Sequence, residues 1–179
     1  MAEREIVTWR HWLLLFGVAA LTLVSDQLSK WLVVRSLDLG ETWVPIPLLE
    51  GIFDLTYTQN TGAAFGLGQN FSYGFLLIAL VVSAFIIYYY RQLPPRSWMV
   101  RILMGLMMGG ALGNAVDRVT RGYVVDFFYL HGWPIFNIAD SIIVVSVGIW
   151  VVLIWWEEHQ QKAPAEEAPP HSSEHHAEG

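Results

Sequence analysis

Two aspartates stand where long apolar runs meet polar segments of the chain. Asp117 closes one apolar run within Gly113–Arg118, and Asp140 lies just after Phe136, where the next run begins. If both runs cross a membrane, the chain leaves the bilayer at one aspartate and re-enters it near the other, so the two carboxylates lie at similar depth on the same side. Carboxylates near hydrocarbon are costly and usually mark function. Two that approach each other indicate an acid/base pair that shares one proton.

Polar residues accompany both carboxylates at helical spacing. Asn114 precedes Asp117 by three residues, and Asn137 precedes Asp140 by three, with Ser141 next. An amide both donates and accepts hydrogen bonds, so these side chains could orient the acids or bind a peptide backbone. The same spacing also fits a simpler interpretation, with a charge pair at one helix end and an N-terminal capping cluster at the other.

A row of glycines leads to the first aspartate. Gly105, Gly109 and Gly113 recur every four residues, which places them near one helix face and lets a neighbouring helix approach closely. Asp117 is the next step of this row. We therefore expect its side chain to face the packed interior of the protein and not lipid.

Asp26 and Lys30 are four residues apart, in the favourable order for an ion pair on a helix. The pair could neutralise itself near the membrane surface, hold the following segment in place, or bind substrate. Asn60 and Gly62 belong to a loop of small residues, in which glycine permits a tight turn or close backbone contact.

The composition indicates an integral membrane protein. Of 179 residues, 54% are hydrophobic and 15% are charged, and the mean hydropathy is +0.42. Much of the net charge of −6 comes from the last two dozen residues, and nothing points to a nucleic-acid partner. The chain has no cysteine, no His-Glu-x-x-His and no Gly-x-Ser-x-Gly, which argues against thiol, common zinc-protease and serine-hydrolase chemistry. We expect no metal and no cofactor.

Hydropathy predicts four spanning helices, at about Trp12–Val34, Phe71–Tyr90, Met99–Val116 and Ile138–Trp156. Outside them, segments 36–70 and 118–136 contain strand-like stretches at Phe53–Thr58 and Gly122–Tyr129, which predict a small sheet at the membrane surface. We expect one membrane domain over residues 1–156. The remaining residues, 157–179, predict a disordered acidic tail.

Lysine and arginine in the short loops predict the orientation. Six flank one side of the spans and four the other, and the richer side should be cytoplasmic. Both termini are then cytoplasmic, and Asp26, Asp117 and Asp140 lie toward the outer face.

Five sequence blocks together resemble the lipoprotein signal peptidases, the bacterial signal peptidase II family. They are Asp26–Lys30, Asn60–Phe65, Gly110–Arg118, Gly122–Phe127 and Phe136–Asp140. The resemblance implies four transmembrane helices with a small extracytoplasmic β-cradle, in the bacterial plasma membrane. It also implies an aspartic endopeptidase that cleaves prolipoproteins just before a cysteine carrying diacylglycerol.

The resemblance places the catalytic dyad at Asp117 and Asp140. Further positions are interpreted as site-supporting or substrate-binding: Asp26, Lys30, Asn60, Gly62, Asn114, Arg118, Asp126, Asn137 and Ala139. The implied partners are a diacylated prolipoprotein and membrane lipid, and the enzyme is expected to be a monomer. The sequence leaves open which aspartate is the base.

Two other functions fit an intramembrane cluster of aspartate and asparagine. A small transporter or proton relay would use such residues to line a path, but here they gather near one surface. A presenilin-like protease would carry a Gly-x-Gly-Asp signature, which this sequence lacks.

Overall fold

Four long helices dominate the computed structural model, which describes residues 7–62, 72–93 and 97–162. They are Trp9–Ser36 (α1), Ser72–Tyr90 (α2), Trp98–Arg121 (α3) and Ile138–Lys162 (α4). In that part of the chain all four are long and apolar enough to cross a membrane. The four predicted spans are thereby confirmed.

Three helices extend beyond their predicted ends, α1 by two or three residues at each end and α3 and α4 by five or more at their C-terminal ends. α3 continues past Val116 to Arg121, and Gly122 ends it with a φ of 82° and an N–H bonded to the carbonyl of Arg118. Asp117 therefore lies inside the helix, and the connecting segment begins at Gly122, later than predicted. α4 continues to Lys162, so the first six residues of the predicted tail are helical. The rest of that tail lies outside the described residues.

α3 is the central helix and packs against α1, α2 and α4. Its glycine row lies against a neighbouring helix, as predicted, and that helix is α1. A Cβ on Gly109 would lie 2.5 Å from the carbonyl oxygen of Ala19, and one on Gly113 would lie 2.5 Å from Oδ2 of Asp26. Such close approach requires the absence of a side chain. The row ends at Asp117, which is fully buried.

A three-stranded antiparallel sheet completes the fold. Its strands are Thr42–Trp43 (β1), Phe53–Asn60 (β2) and Val124–Leu130 (β3), in the order β1-β2-β3. The two predicted strands are confirmed, whereas the two-residue β1 is too short for a sequence pattern. The register of β2 against β3 shifts between Leu55 and Thr58, which indicates a β-bulge beside Asp126.

β3 has two different buried faces. Val125 and Phe127 pack against Val33 of α1 and Tyr57 of β2. Val124 and Asp126 point the other way, into a cavity, as the two-residue period of a strand requires. The sheet therefore fixes β3 across the C-terminal end of α1 and presents Asp126 to the space beside α3 and α4.

Candidate active site

A cavity of about 720 Å³ lies between β3, the C-terminal half of α3 and the beginning of α4. Its polar end is lined by Asn60, Asn114, Arg118, Asp126, Asp140 and Ser141. The remaining wall is mostly apolar. It comes from segment 133–136, from the α4 residues Ile143, Val144 and Val145, and from Gly62, Val124 and Leu130. The cavity thus joins a small set of polar groups to a large apolar surface, the usual composition of a ligand site.

Two carboxylates line the described part of this cavity, Asp126 and Asp140. Two amides connect them. Asn137 donates from Nδ2 to Oδ1 of Asp126 at 2.7 Å and to Oδ1 of Asn114 at 3.1 Å. Asn114 in turn donates from Nδ2 to Oδ1 of Asp140 at 2.7 Å. This chain of hydrogen bonds fixes how each carboxylate faces the cavity.

The pKa of Asp126 is raised to about 7, chiefly by burial and in addition by the negative charge of Asp140. Hydrogen bonds from Asn60 and Asn137 and the charge of Lys30 oppose the increase in pKa. Asn60 donates from Nδ2 to Oδ2 of Asp126 at 2.8 Å. Asp126 therefore titrates near neutral pH, which suits a group that exchanges a proton during a reaction.

The N-terminus of α4 is capped by the residues of the site. Oδ1 of Asn137 accepts the backbone N–H of Asp140 at 3.0 Å, and Oδ2 of Asp140 accepts the N–H of Asn137 at 3.3 Å. This reciprocal arrangement is a capping box. The predicted capping cluster and the predicted functional cluster are therefore the same residues.

Asp117 lies outside this group. Its carboxylate forms ion pairs with Lys30, at 2.9 Å, and with Arg121, and it accepts hydrogen bonds from Gln27 and from the backbone N–H of Val125. Two cations thus lie within ion-pair distance of the Asp117 carboxylate. Among the described residues no hydrogen bond joins the two aspartates, and Asp117 is not part of the cavity wall. The geometry groups Asp140 with Asp126 and not, as predicted, with Asp117.

The predicted ion pair on α1 is present. Nζ of Lys30 lies 2.8 Å from Oδ2 of Asp26, and both side chains are fully buried. Lys30 also donates to Oδ1 of Asn114 at 2.8 Å. Oδ1 of Asp26 accepts the backbone N–H of Ala139 at 3.1 Å. Asp26, Lys30 and Ala139 are not part of the described cavity wall. They support it through Asn114 and through the backbone just before Asp140.

Arg118 lies at the polar end of the cavity, and Gly62 is also part of the cavity wall. The guanidinium donates to the carbonyls of Asn114, at 3.2 Å, and Gly62, at 3.3 Å, and lies over the ring of Phe75. Among the described residues it makes no hydrogen bond to Asp126 or Asp140. Oδ1 of Asn60 accepts the N–H of Gly62 at 2.9 Å, which forms a local turn.

The sequence predicts a site-supporting role for Asp126, and it does not predict Gln27 or Arg121 as site residues. The sequence does contain a signal for Asp126. It is a carboxylate within a strand of β-branched and aromatic residues, where it is expected to be buried, and a buried carboxylate requires hydrogen-bond or charged partners. Gln27 carried no such signal. It donates to Asp26, to the carbonyl of Gly113 and to Asp117, two of which are distant in sequence. No group of three or more described histidine or acidic residues is placed to hold a metal ion.

Comparison with known proteins assigns the family. The profile described as signal peptidase (SPase) II matches residues 18–156. The chain belongs to the signal peptidase II family. This confirms the resemblance carried by the five sequence blocks, and the comparisons favour a peptidase over a transporter or proton relay.

Similar proteins cover most of the peptidase. A lipoprotein signal peptidase of Anoxybacillus flavithermus is 39% identical over 153 residues, which are 83% of this chain and 89% of that protein. One from Bacillus subtilis is 40% identical over 139 residues, 75% of this chain and 88% of that protein. A solved bacterial membrane enzyme has a TM-score of 0.72 at 26% identity and covers 83% of this chain and 90% of its own. The predicted fold class is confirmed.

Proposed function

We propose that this peptidase is an aspartic endopeptidase that removes signal peptides from prolipoproteins, with Asp126 and Asp140 as its catalytic pair. The substrate class follows from its lipoprotein signal peptidase relatives. One observation supports the pair: Asp126 and Asp140 are the two carboxylates of the described cavity wall, and two amides hold them in fixed orientations. This assignment replaces Asp117, whose charge is compensated by two cations.

The mechanism begins with Asp126 protonated and Asp140 ionised. Asp140 takes a proton from a water molecule, whose oxygen bonds to the scissile carbonyl carbon while Asp126 gives its proton to the carbonyl oxygen. The resulting diol collapses when Asp140 returns its proton to the departing nitrogen and Asp126 recovers its own from a hydroxyl. The carbon–nitrogen bond breaks, and both aspartates are restored. A pKa of Asp126 near 7 supports its role as the initial acid.

The apolar wall fits a lipidated substrate. Val144 and Val145 are 69% and 58% exposed on α4, so this side of the cavity is open toward lipid. A signal helix can enter laterally there and leave the acyl chains of a diacylglyceryl-cysteine in the bilayer, with cleavage just before that cysteine. We propose the bacterial plasma membrane as the location and a monomer as the active form.

The active site faces outward in this proposal. The excess of basic residues predicts cytoplasmic termini, which places the sheet and the cavity at the outer surface. Three side chains on the sheet and its loops, Trp43, Leu48 and Ile52, are between 56% and 89% exposed. An apolar outer surface of this kind is suited to contact with membrane lipid.

Cleavage assays with purified, membrane-inserted enzyme test the proposal. Asp126→Asn and Asp140→Asn should each remove nearly all turnover of a diacylated prolipoprotein, and the double variant should lose little more, because the pair acts as a unit. Asp117→Asn is the matched comparison and should retain measurable turnover. An active Asp126→Asn enzyme with an inactive Asp117→Asn enzyme would return the dyad to Asp117 and Asp140. The unlipidated substrate should be cleaved poorly, and EDTA should leave activity intact.

A further inference from the structure

Two buried carboxylates hold the backbone immediately before each catalytic aspartate. Oδ2 of Asp117 accepts the N–H of Val125 at 3.2 Å, and Val125 precedes Asp126. Oδ1 of Asp26 accepts the N–H of Ala139 at 3.1 Å, and Ala139 precedes Asp140. The same contact therefore occurs twice, once on the strand and once on the helix that carry the pair.

Lys30 connects these two contacts. Its ammonium lies 2.8 Å from Oδ2 of Asp26 and 2.9 Å from Oδ2 of Asp117. Its third donor position reaches Oδ1 of Asn114 at 2.8 Å. An ammonium has three hydrogens, and each has one acceptor here. Because Oδ1 of Asn114 is occupied in this way, its Nδ2 is directed to Asp140.

Stability alone does not explain this cluster. The side chains of Asp26, Lys30 and Asp117 are fully buried, and buried ion pairs commonly add no more stability than well-packed apolar residues of similar size. α1, which supplies two of the three, contributes no residue to the described cavity wall. The cluster can therefore act on a reaction in the cavity only through the groups that it holds.

The packing of α3 leaves room for this arrangement. A Cβ on Gly113 would lie 2.5 Å from Oδ2 of Asp26, the oxygen that meets Lys30. Gln27 also bonds to both carboxylates of the cluster, at 3.2 Å and 3.1 Å. The orientations of the carboxylates are thus restricted from several sides.

We infer that the Asp26–Lys30–Asp117 cluster sets the relative position of the two catalytic carboxylates, with Lys30 as the positioning residue that joins them. The inference rests on the proposed pair of Asp126 and Asp140. In this role the cluster contacts neither substrate nor reacting atoms. Its disruption should lower kcat and leave KM close to the parent value, since the cavity that binds substrate keeps its own side chains.

Lys30→Met tests the connection. It should lower kcat per folded enzyme by about 100-fold, since a displacement near 1 Å can have that effect, and it should change the pH profile because Asp126 and Asp140 shift relative to each other. Hydrogen exchange should become faster at both Val125 and Ala139. Lys30→Arg keeps the charge but not the compact three-way geometry, so it should restore only part of kcat. Ser146→Ala removes another buried polar group, on α4 and outside the cavity wall, and should leave kcat unchanged.

A second pair of variants separates the acceptor from the charge. Asp117→Asn and Asp117→Leu both remove the charge, but asparagine still offers an oxygen to the N–H of Val125. Asp117→Asn should therefore retain a kcat at least about 10-fold above that of Asp117→Leu. These two Asp117 variants test the inference if the Lys30→Met protein does not accumulate.

Unchanged exchange at both amides in Lys30→Met, or equal kcat and pH profiles for the two Asp117 variants, would overturn the inference. Full activity in Asp126→Asn would instead overturn the proposed catalytic pair, and the exchange measurements would still report on the cluster.

Discussion

The buried side chain of Asn137 donates to Oδ1 of Asp126 at 2.7 Å from the first residue before α4. The same side chain uses its oxygen to cap the helix at Asp140. One asparagine thus orients one carboxylate of the proposed catalytic pair through its nitrogen and fixes the backbone of the other through its oxygen. Helix capping and catalytic geometry are coupled at this position.

Substitutions of Asn137 should separate these two roles. Asn137→Ser keeps an oxygen for the helix cap but loses the amide donors, so it should lose about 10-fold or more in kcat and only the stability that the two donated hydrogen bonds supply. Asn137→Ala should show the same loss of kcat and, in addition, about 1 kcal/mol of stability. Thermal unfolding in detergent and cleavage of a diacylated substrate measure the two effects. Equal stabilities of the two variants would contradict the capping role.

Activity should decline as the pH rises through about 7, because Asp126 then loses the proton that it gives to the scissile carbonyl. The hydrogen bond from Asn60 lowers the pKa of Asp126 by stabilising the ionised form. Asn60→Ala removes that bond, so the pKa should increase and the alkaline limb of kcat should move to higher pH. A shift toward lower pH would show that Asp126 is not the acid.

Asp126 should also make folding stability depend on pH. Its pKa is about 7 in the folded protein and near 3.9 in an unfolded chain. The folded state keeps a proton that the unfolded state releases, so stability falls as pH rises from about 4 to about 7, by at most about 1.4 kcal/mol per pH unit. Asp126→Asn should remove this slope. Unfolding midpoints of both proteins across this range provide the measurement, and parallel curves would disprove the assignment.

The glycines of the spanning helices should differ sharply in their tolerance of alanine. Gly109→Ala should destabilise the protein, because its Cβ would lie 2.5 Å from a backbone oxygen of α1. Gly17→Ala and Gly148→Ala meet nothing within 4 Å and should be neutral or stabilising, since alanine is the better helix former. Unfolding temperatures compared across the three variants check this, and a tolerated Gly109→Ala would contradict the close packing of α3 on α1.

The proposed orientation can be tested by cysteine labelling, since the chain has no cysteine of its own. Glu50 is exposed in the segment between β1 and β2. A cysteine at this position should react with an impermeant reagent added outside intact cells. Reaction only after the cytoplasmic side is opened would reverse the orientation, and with it the outer position of the active site.

The sequence predicted the parts of the fold that depend on local composition. The lengths of the apolar runs predict the four spanning helices. The glycine spacing predicts that the side chain of Asp117 faces the interior of the protein. Contacts between side chains that are distant in sequence cannot be predicted from local composition. Lys30 and Asp117 form an ion pair although far apart in sequence, and no single-sequence pattern tells a compensated carboxylate from an uncompensated one. The sequence therefore predicts a dyad of Asp117 and Asp140, whereas the proposed mechanism uses Asp126 and Asp140.

The β-bulge was unpredictable for a related reason. One additional residue of β2 between Leu55 and Thr58 sets the register that pairs Thr58 with Asp126. The two-residue period of a strand places Asp126 and Val125 on opposite faces, but it does not say which face borders the cavity. That choice depends on α1, whose Val33 covers Val125.

The unequal walls of the cavity bear on how inhibitor resistance could arise. A compound that binds only the polar end would contact Asp126, Asp140 and Asn114, which the proposed chemistry cannot replace. A compound that takes its affinity from Ile143, Val144 or Val145 would contact side chains that exchange readily for other apolar residues. Resistance substitutions should therefore concentrate on α4 beyond its first turn. Inhibitors that bind next to Asn114 and Asn137 should be affected by the fewest of these substitutions.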